Sequence, residues 1–361
     1  MPKKSISSIE LAAIVNELQI LVKGKVSQIY HQEKKEILFQ LHAVGKGKQL
    51  LKVIPGKYVC LTTQKNAPLR PTGFCMLLRK YINNAFIKSV TQYESQRILV
   101  FELEKQDTFY LIIELFSKGN VVLTDVASTI IGTLTWQKWK DRTVKPGEKY
   151  VYPTSDVNWK TITGKAFAEL VKTSDKKNLA TTLATELGLG GVYAEEVCVL
   201  ANVDKDLLGL ELTGEQVHSL FEAHQSLVAK LEKPSGYLYD DDITPFPLHG
   251  KVAKEETELY SDALDTIKPF ETVSPYEQRI KTIEKTIRNQ EGALGELQKK
   301  IDDNTAKAEL IYENYTPLQK LLDIVGEMQK TKEWGEIGKA LKEEKKIISV
   351  DLKKKSVVIA L

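Results

Sequence analysis

The basic residues of the first 150 positions have the side chains best suited to binding a ligand, and the ligand class they indicate is a polyanion. Between residues 51 and 100, eight lysines and arginines stand against a single acid, Glu94. Guanidinium groups hold phosphate oxygens in pairs, and lysines add point charges. A lysine-rich surface that only keeps the protein soluble is the alternative interpretation. The candidate phosphate ligands are Arg70, Arg79, Lys80 and Arg97.

A second candidate site is the glycine turn at Gly188, Gly190 and Gly191, which joins two predicted helices. Successive backbone N–H groups in such a turn can point outward together and hold a phosphate oxygen, helped by the positive end of the following helix. Alternatively, the glycines only let the two helices approach closely. Three nearby glutamates weaken the phosphate interpretation: Glu186, Glu195 and Glu196.

Conventional catalytic and metal sites are not indicated. The five histidines fall in different predicted elements, and no spacing pairs them with a nucleophile or with further metal ligands. We therefore predict no metal, no cofactor and no catalytic residue. One enzyme alternative stays open, because a free N-terminal amine at Pro2 can form a Schiff base in a DNA glycosylase or lyase. Its neighbours Lys3 and Lys4 are not the acid that such chemistry needs.

Composition narrows the class of protein. The chain has 361 residues, which predicts two or three domains. It has no apolar run long enough for a membrane span, and its polar start does not resemble a secretory signal. Cys60, Cys75 and Cys198 are too far apart for a disulfide framework, so we predict a cytoplasmic protein. The net charge of +3 hides a split, with +11 on residues 1–150 and −8 on residues 151–361.

Residues 1–165 predict one α+β domain with a mostly antiparallel sheet and two helices. Ser7 and Glu10 have the spacing of a capping box at the start of the first helix, and a second helix is predicted at 72–83. Alternation of period two marks the strands between and after these helices. The strands are predicted at 26–30, 37–42, 50–54, 58–61, 97–103, 108–116 and 120–125.

Two segments without a strand pattern follow. Residues 166–232 predict helices, among them a hairpin of two helices around the glycine turn and a helix capped at Thr213. Residues 233–275 contain several prolines and the acidic run Asp240–Asp242. We predict that this second segment is a linker lying over a surface.

The last part of the chain predicts a coiled-coil helix at 276–315, because apolar residues recur there every seven positions. Pro317 ends or kinks that helix near Asn314, and residues 316–361 predict a small domain that finishes in a β-hairpin. No second heptad pattern is present, and an unpaired apolar seam is unstable in water. We expect a partner helix, either from sequence beyond Leu361, which we favour, or from a second copy.

Five stretches of the sequence resemble the NFACT family of NEMF- and RqcH-like factors. The first helix and two later stretches resemble the family's amino-terminal domain. The glycine turn resembles its helix-hairpin-helix domain, and a stretch near the end resembles its coiled coil. We therefore predict an antiparallel-sheet NFACT-N-like domain, a helix-hairpin-helix domain, a coiled-coil helix and a small middle domain. The stretches are Ser8–Leu11, Pro71–Lys80, Glu114–Val121, Leu187–Cys198 and Ile311–Tyr315.

The resemblance implies a factor of ribosome-associated quality control, in the cytoplasm. Its expected partners are tRNA and a large ribosomal subunit that still holds nascent peptidyl-tRNA, and some family members support untemplated alanine tailing. By resemblance, Glu10 and Arg97 match an acid and an arginine of the tail-adding members. Gln96 stands where those members have an aspartate, which places tailing in question. Some members carry fibronectin-binding names, yet a surface adhesin would need an export signal.

Overall fold

A computed structural model describes residues 3–32, 36–65, 71–139, 142–154, 157–267, 275–342, 347–351, 354 and 356–359. The chain divides into two compact units, residues 1–269 and 270–361. Each unit is described by itself below. Among the described residues, no helix has the length and apolarity that a membrane crossing requires.

The first unit is built around a nine-stranded sheet in which every neighbouring pair is antiparallel. The strand order is β4-β3-β2-β1-β5-β6-β7-β8-β9, and the predicted α+β class with a large antiparallel sheet is confirmed. Two helices accompany the sheet, α1 at Ser8–Glu17 and α2 at Gly73–Ile82. The strands are β1 (Lys25–Gln32), β2 (Glu36–Ala43), β3 (Gly47–Ile54), β4 (Tyr58–Thr62), β5 (Phe86–Gln92), β6 (Ile98–Glu104), β7 (Thr108–Glu114), β8 (Asn120–Asp125) and β9 (Ile130–Thr133).

The sheet consists of two meanders that meet at its centre. Strands β1 and β5 pair only through Lys25 and Phe86, whereas neighbouring strands within each meander pair over much of their length. The sequence did not predict β5 or β9. Beyond β9, a short hairpin of β10 (Gln137–Lys138) and β11 (Thr143–Val144) extends from the second meander.

Four helices follow the sheet in the chain. They are α3 (Gly164–Thr173), α4 (Leu179–Thr185), α5 (Gly191–Leu200) and α6 (Gly214–Ala229). Helices α4 and α5 flank the glycine turn as predicted, and Thr213 caps α6 in a capping box. These helices are joined to the sheet region through the buried Trp159, whose indole N–H donates to the hydroxyl of Ser8 at 2.8 Å.

Residues 233–267 of the segment predicted as a linker, 233–275, form a three-stranded sheet and a helix, with Tyr260 fully buried. Residues 268–274 lie outside the described residues. The Glu17 carboxylate of α1 accepts the backbone N–H groups of Tyr260 and Ser261, which fixes the start of that helix. This part of the chain is therefore packed onto α1. Its elements are β12 (Gly236–Leu238), β13 (Ile243–Thr244), β14 (Glu255–Thr257) and α7 (Tyr260–Asp265).

The second unit is dominated by one long helix, α8, at Pro275–Glu313. It ends next to Asn314, as Pro317 predicts, and α9 begins at Tyr315. Several apolar residues of α8 are about half exposed or more, including Leu294 and Leu297. The coiled-coil pairing of this helix stays a prediction. The remaining elements are α9 (Tyr315–Met328), α10 (Trp334–Lys342), β15 (Ile347–Asp351) and β16 (Ser356–Ile359).

Candidate functional site

A pocket of about 450 Å³ lies where the starts of α1 and α5 meet. Four of the residues predicted from the sequence line it: Glu10, Arg97, Gly190 and Gly191. They come from three distant parts of the chain. The pocket also contains Lys3, Tyr193 and Asp242, which the sequence did not single out.

The predicted capping box places Glu10 in the pocket. The Ser7 backbone N–H donates to one Glu10 carboxylate oxygen at 2.6 Å, and the Glu10 N–H donates to the Ser7 hydroxyl at 3.3 Å. This exchange satisfies two backbone donors at the start of α1 and fixes the rotamer of Glu10. The Glu10 side chain is almost completely buried.

Lys3 neutralises two carboxylates in the pocket. Its ammonium lies 2.5 Å from Glu10 and 2.6 Å from Asp242, and it also donates to the Ile243 carbonyl at 2.6 Å. Burial alone would lower the pKa of Lys3, but the two carboxylates raise it above its ordinary value. Lys3 therefore stays charged, and its charge is used within the protein.

Tyr193 occupies a further lone pair of Glu10. Its hydroxyl donates to the same carboxylate oxygen that Lys3 contacts, at 2.6 Å. The ring is fully buried, and burial together with the nearby Glu10 charge holds the pKa of Tyr193 well above its ordinary value. The hydroxyl thus keeps its proton and ties α5 to α1.

Two cations of the pocket keep free donors, the exposed Lys4 and the half-buried Arg97. Arg97 lies directly before β6, and the one hydrogen bond that its guanidinium makes between described residues runs from Nη1 to the Ile6 carbonyl at 3.4 Å. No described carboxylate forms an ion pair with it. Burial lowers the pKa of Arg97, and Glu10 partly offsets this, but a guanidinium remains charged at any physiological pH.

The glycine turn brings backbone donors to the same pocket. Gly188 and Gly190 have φ of +82° and +84°, the left-handed region that favours glycine. Gly190 is the N-cap of α5, where no side chain caps the helix. The first backbone N–H groups of a helix lack intrahelical acceptors and carry partial positive charge. Gly190, Gly191 and Val192 line the pocket that Arg97 also lines.

Other predicted residues lie elsewhere. Gln96 is outside the pocket lining, and its carbonyl accepts from the Gln92 side chain at 2.8 Å. Arg79 donates from two nitrogens to the Ile29 carbonyl, at 2.8 and 2.5 Å, which makes it a structural residue of α2. Lys80 is exposed on the same helix. Gly188 shapes the turn without lining the pocket. Arg70 and Pro2 lie outside the described residues.

The described residues include no group of three or more histidine, cysteine, aspartate or glutamate side chains placed to hold a metal ion. The buried histidines are structural. His224 contacts the Trp159 carbonyl at 2.9 Å, and burial lowers its pKa. Burial likewise raises the pKa of the Cys198 thiol to about 12, so this sulfur is a poor nucleophile at neutral pH.

Sequence reasoning missed Lys3 and Asp242 for different reasons. Lys3 was considered only as a neighbour of Pro2, although its position seven residues before Glu10 brings it within reach once α1 is capped. Asp242 belongs to an acidic run that is typical of a solvated linker. Only the packing of the 236–265 segment onto α1 places this carboxylate beside a lysine.

Comparisons with known proteins match nearly the whole chain. A family model described as the NFACT N-terminal and middle domains matches residues 7–360. The archaeal Rqc2 homolog aRqcH of Methanocaldococcus jannaschii is 28% identical over 372 residues, which cover 95% of this chain and 55% of that protein. The human ribosome quality control complex subunit NEMF is 24% identical and covers 94% of this chain and 36% of that protein. The chain thus spans about half or less of the length of these relatives.

Solved structures share the fold. The crystal structure of the fibrinogen binding protein from Staphylococcus aureus superposes with a TM-score of 0.62 at 19% identity, covering 73% of this chain and 99% of that one. The N-terminal part of the fibronectin/fibrinogen-binding protein from Streptococcus suis gives 0.60 at 22% identity, covering 72% and 98%. Identities this low show the fold alone.

Proposed function

The chain belongs to the NFACT family, and from that premise we propose that it acts in ribosome-associated quality control, binding tRNA on a large ribosomal subunit that holds a stalled peptidyl-tRNA. The observation that carries the proposal is the pocket in which Arg97 lies beside the uncapped start of α5. Relatives named as ribosome quality control subunits support the coarser part of it.

The cations of the pocket have two different roles, because one stabilises the fold and another is available to a ligand. Lys3 is held by Glu10 and Asp242, so it has little charge left for an anion. The Arg97 guanidinium is half-buried, and among the described residues it makes one long hydrogen bond, to the Ile6 carbonyl. A partly desolvated guanidinium binds a phosphate more strongly than an exposed one because the local dielectric constant is lower.

The helix start completes the anion site. Backbone N–H groups at the start of a helix carry partial positive charge, and a phosphate placed there is stabilised. The α5 start and Arg97 line one pocket, so a single phosphate group can receive donors from both. Phosphate contacts of this kind position a folded RNA without reading its sequence. We therefore assign Arg97 and Gly191 to the tRNA backbone. Gly190, whose own N–H donates to the Ala184 carbonyl at 3.1 Å, sets the turn that leads into α5, and Glu10 fixes the pocket.

Alanine tailing is not part of the proposal. Gln96 has no carboxylate, and its side chain does not line the pocket that contains Arg97. Binding to tRNA and to the large subunit does not require that carboxylate, because the phosphate donors come from Arg97 and the α5 start.

We also propose that α8 packs against a second helix. Apolar residues that include Ile287, Leu294 and Ile301 recur every seven positions and are about half exposed or more in this unit. The partner helix comes from further sequence of the same protein or from a second copy. Light scattering of the purified 361-residue chain distinguishes the two, since a second copy doubles the mass of 40.7 kDa.

Co-sedimentation with ribosomal subunits tests the function directly. We expect the protein to pellet with large subunits that carry peptidyl-tRNA and to remain in the supernatant with empty small subunits. Failure to associate with obstructed large subunits, using full-length protein, would overturn the proposal.

Arg97→Ala tests the site. Loss of one charge-assisted phosphate contact should weaken tRNA binding by about 1.5–3 kcal/mol, roughly 10- to 150-fold, and this can be measured by filter binding. The matched control is Arg288→Ala, which removes the same charge from an exposed position on α8. Equal affinities for Arg97→Ala and the control would remove Arg97 from the site.

A further inference from the structure

A short hairpin beyond the sheet exposes two tryptophans. The tryptophan hairpin comprises β10, β11 and the residues 134–136 and 139 beside them. Trp136 is 77% exposed and Trp139 is 38% exposed. Large aromatic side chains are normally buried, and a pair of them on one small element indicates a binding surface.

The hairpin is held by a buried ionic network. The Arg142 guanidinium stacks on the Trp139 ring at 4.4 Å from its centroid and donates to the Glu114 carboxylate at 2.8 Å. The Tyr150 hydroxyl donates to the same carboxylate oxygen at 2.7 Å. The Glu114 side chain is 1% exposed, so this network is rigid and desolvated. Trp139 therefore presents its exposed part from a fixed position.

A cavity of about 370 Å³ separates the hairpin from the turn at 117–119. The turn is fixed by a close backbone approach, because a Cβ on Gly119 would lie 1.9 Å from the Gly56 nitrogen. The Gln137 side chain donates to the Gly119 carbonyl at 3.1 Å and ties hairpin to turn. Among the described residues that line the cavity, the charged ones are Lys118 and Lys138, both exposed, and none is an acid.

We propose that this surface binds unpaired nucleotides of RNA, with bases stacked on Trp136 and Trp139 and phosphates near Lys118 and Lys138. Exposed aromatic rings beside cations are the arrangement with which proteins hold single-stranded nucleic acid, and stacking tolerates any base. A proline-rich peptide also docks on aromatic grooves, but the two lysines among the described lining residues, Lys118 and Lys138, favour a polyanion. This site adds a second RNA contact to the proposed function. It depends on that function only for which RNA is bound in the cell.

Anisotropy of a short fluorescein-labelled oligouridylate, titrated with the full chain, tests the site. We expect Trp136→Ala to weaken binding about tenfold and Trp136→Phe to retain most of the affinity, because a phenyl ring still stacks. The matched control is Phe86→Ala, which removes another exposed aromatic ring that has a lysine over it. Since Trp136 is largely exposed, its replacement leaves folding intact, which thermal melting verifies.

Equal affinity of wild type and Trp136→Ala for the oligouridylate would overturn this site. So would Trp136-dependent binding of a polyproline peptide without binding of the RNA. The proposed function fails separately: it is contradicted by loss of ribosome association, whereas the hairpin is judged on the oligonucleotide alone. The oligouridylate phosphates can also enter the Arg97 pocket, so the hairpin is judged on the difference between Trp136→Ala and Trp136→Phe, two changes that alter no charge.

Discussion

The Arg97 pocket and the tryptophan hairpin both carry basic residues, yet they use their charge in opposite ways. In the pocket, Lys3 is paired with two carboxylates, whereas Arg97 and the exposed Lys4 form no ion pair among the described residues. In the hairpin, Arg142 is paired with Glu114, while the described residues that line the cavity include Lys118 and Lys138 and no acid. In each region one buried cation therefore stabilises the fold. A count of basic residues thus does not identify the residues that contact a ligand.

The two regions also differ in the ligand geometry they favour. The pocket combines a guanidinium with backbone donors at a helix start, which suits one phosphate held at a fixed place. The hairpin offers flat rings and mobile lysines, which suit a flexible strand whose bases are unpaired. A folded RNA with a helical backbone and a single-stranded end or loop would satisfy both.

Replacing Glu10 should change stability more than any other substitution considered, because the pocket carboxylates stabilise the fold. Glu10→Ala leaves the buried Lys3 ammonium without its nearest carboxylate and removes half of the capping box. We expect the free energy of unfolding of the first unit to fall by about 3–5 kcal/mol, as for other broken buried ion pairs. Urea denaturation followed by circular dichroism measures it.

The control for this change is Glu104→Ala, which breaks the pair with Lys88 on the surface. Both side chains of that pair are about half exposed, so we expect a much smaller loss of stability than for Glu10→Ala. Similar losses for the two variants would contradict the assignment of Glu10 to a buried network.

Much of this comparison was within reach of the sequence. The capping box, the four strands of the first meander and the helices around the glycine turn follow from local patterns, and the structure contains them. Glu10, Arg97 and Gly190 were each singled out for a separate reason. They line one pocket because of long-range packing, which no local sequence pattern predicts.

The parts that the sequence did not yield have physical explanations. Strand β5 was missed because a register shift between Ile87 and Ser89 interrupts its alternation, so that the buried Ile87 and Val90 stand three positions apart. The acidic run that includes Asp242 is typical of a linker until the packing of Tyr260 brings it beside Lys3. The tryptophan hairpin was not singled out because exposure of an aromatic ring is a property of the fold. Periodicity cannot distinguish an exposed Trp136 from a buried Trp159.

A double variant tests whether the pocket and the hairpin contribute independently to tRNA affinity. If pocket and hairpin contact different parts of one RNA, the losses of tRNA affinity from Arg97→Ala and Trp136→Ala should add to within about 0.5 kcal/mol in the double variant. Filter binding of the two single variants and the double variant measures this. A double variant no weaker than Arg97→Ala alone would show that the hairpin does not contact tRNA and would restrict its role to other RNA.

The smallest effect separates the two kinds of contact by salt. Binding through a phosphate releases counterions, so the slope of log affinity against log salt concentration should fall by about one in Arg97→Ala. Stacking releases none, so Trp136→Ala should shift the whole line and leave its slope unchanged. Lys138→Ala provides the control within the hairpin, because it removes a cation from the same rim. A changed slope in Trp136→Ala would mean that the ring acts by orienting the neighbouring lysines rather than by stacking. Both regions would then bind RNA through charge alone.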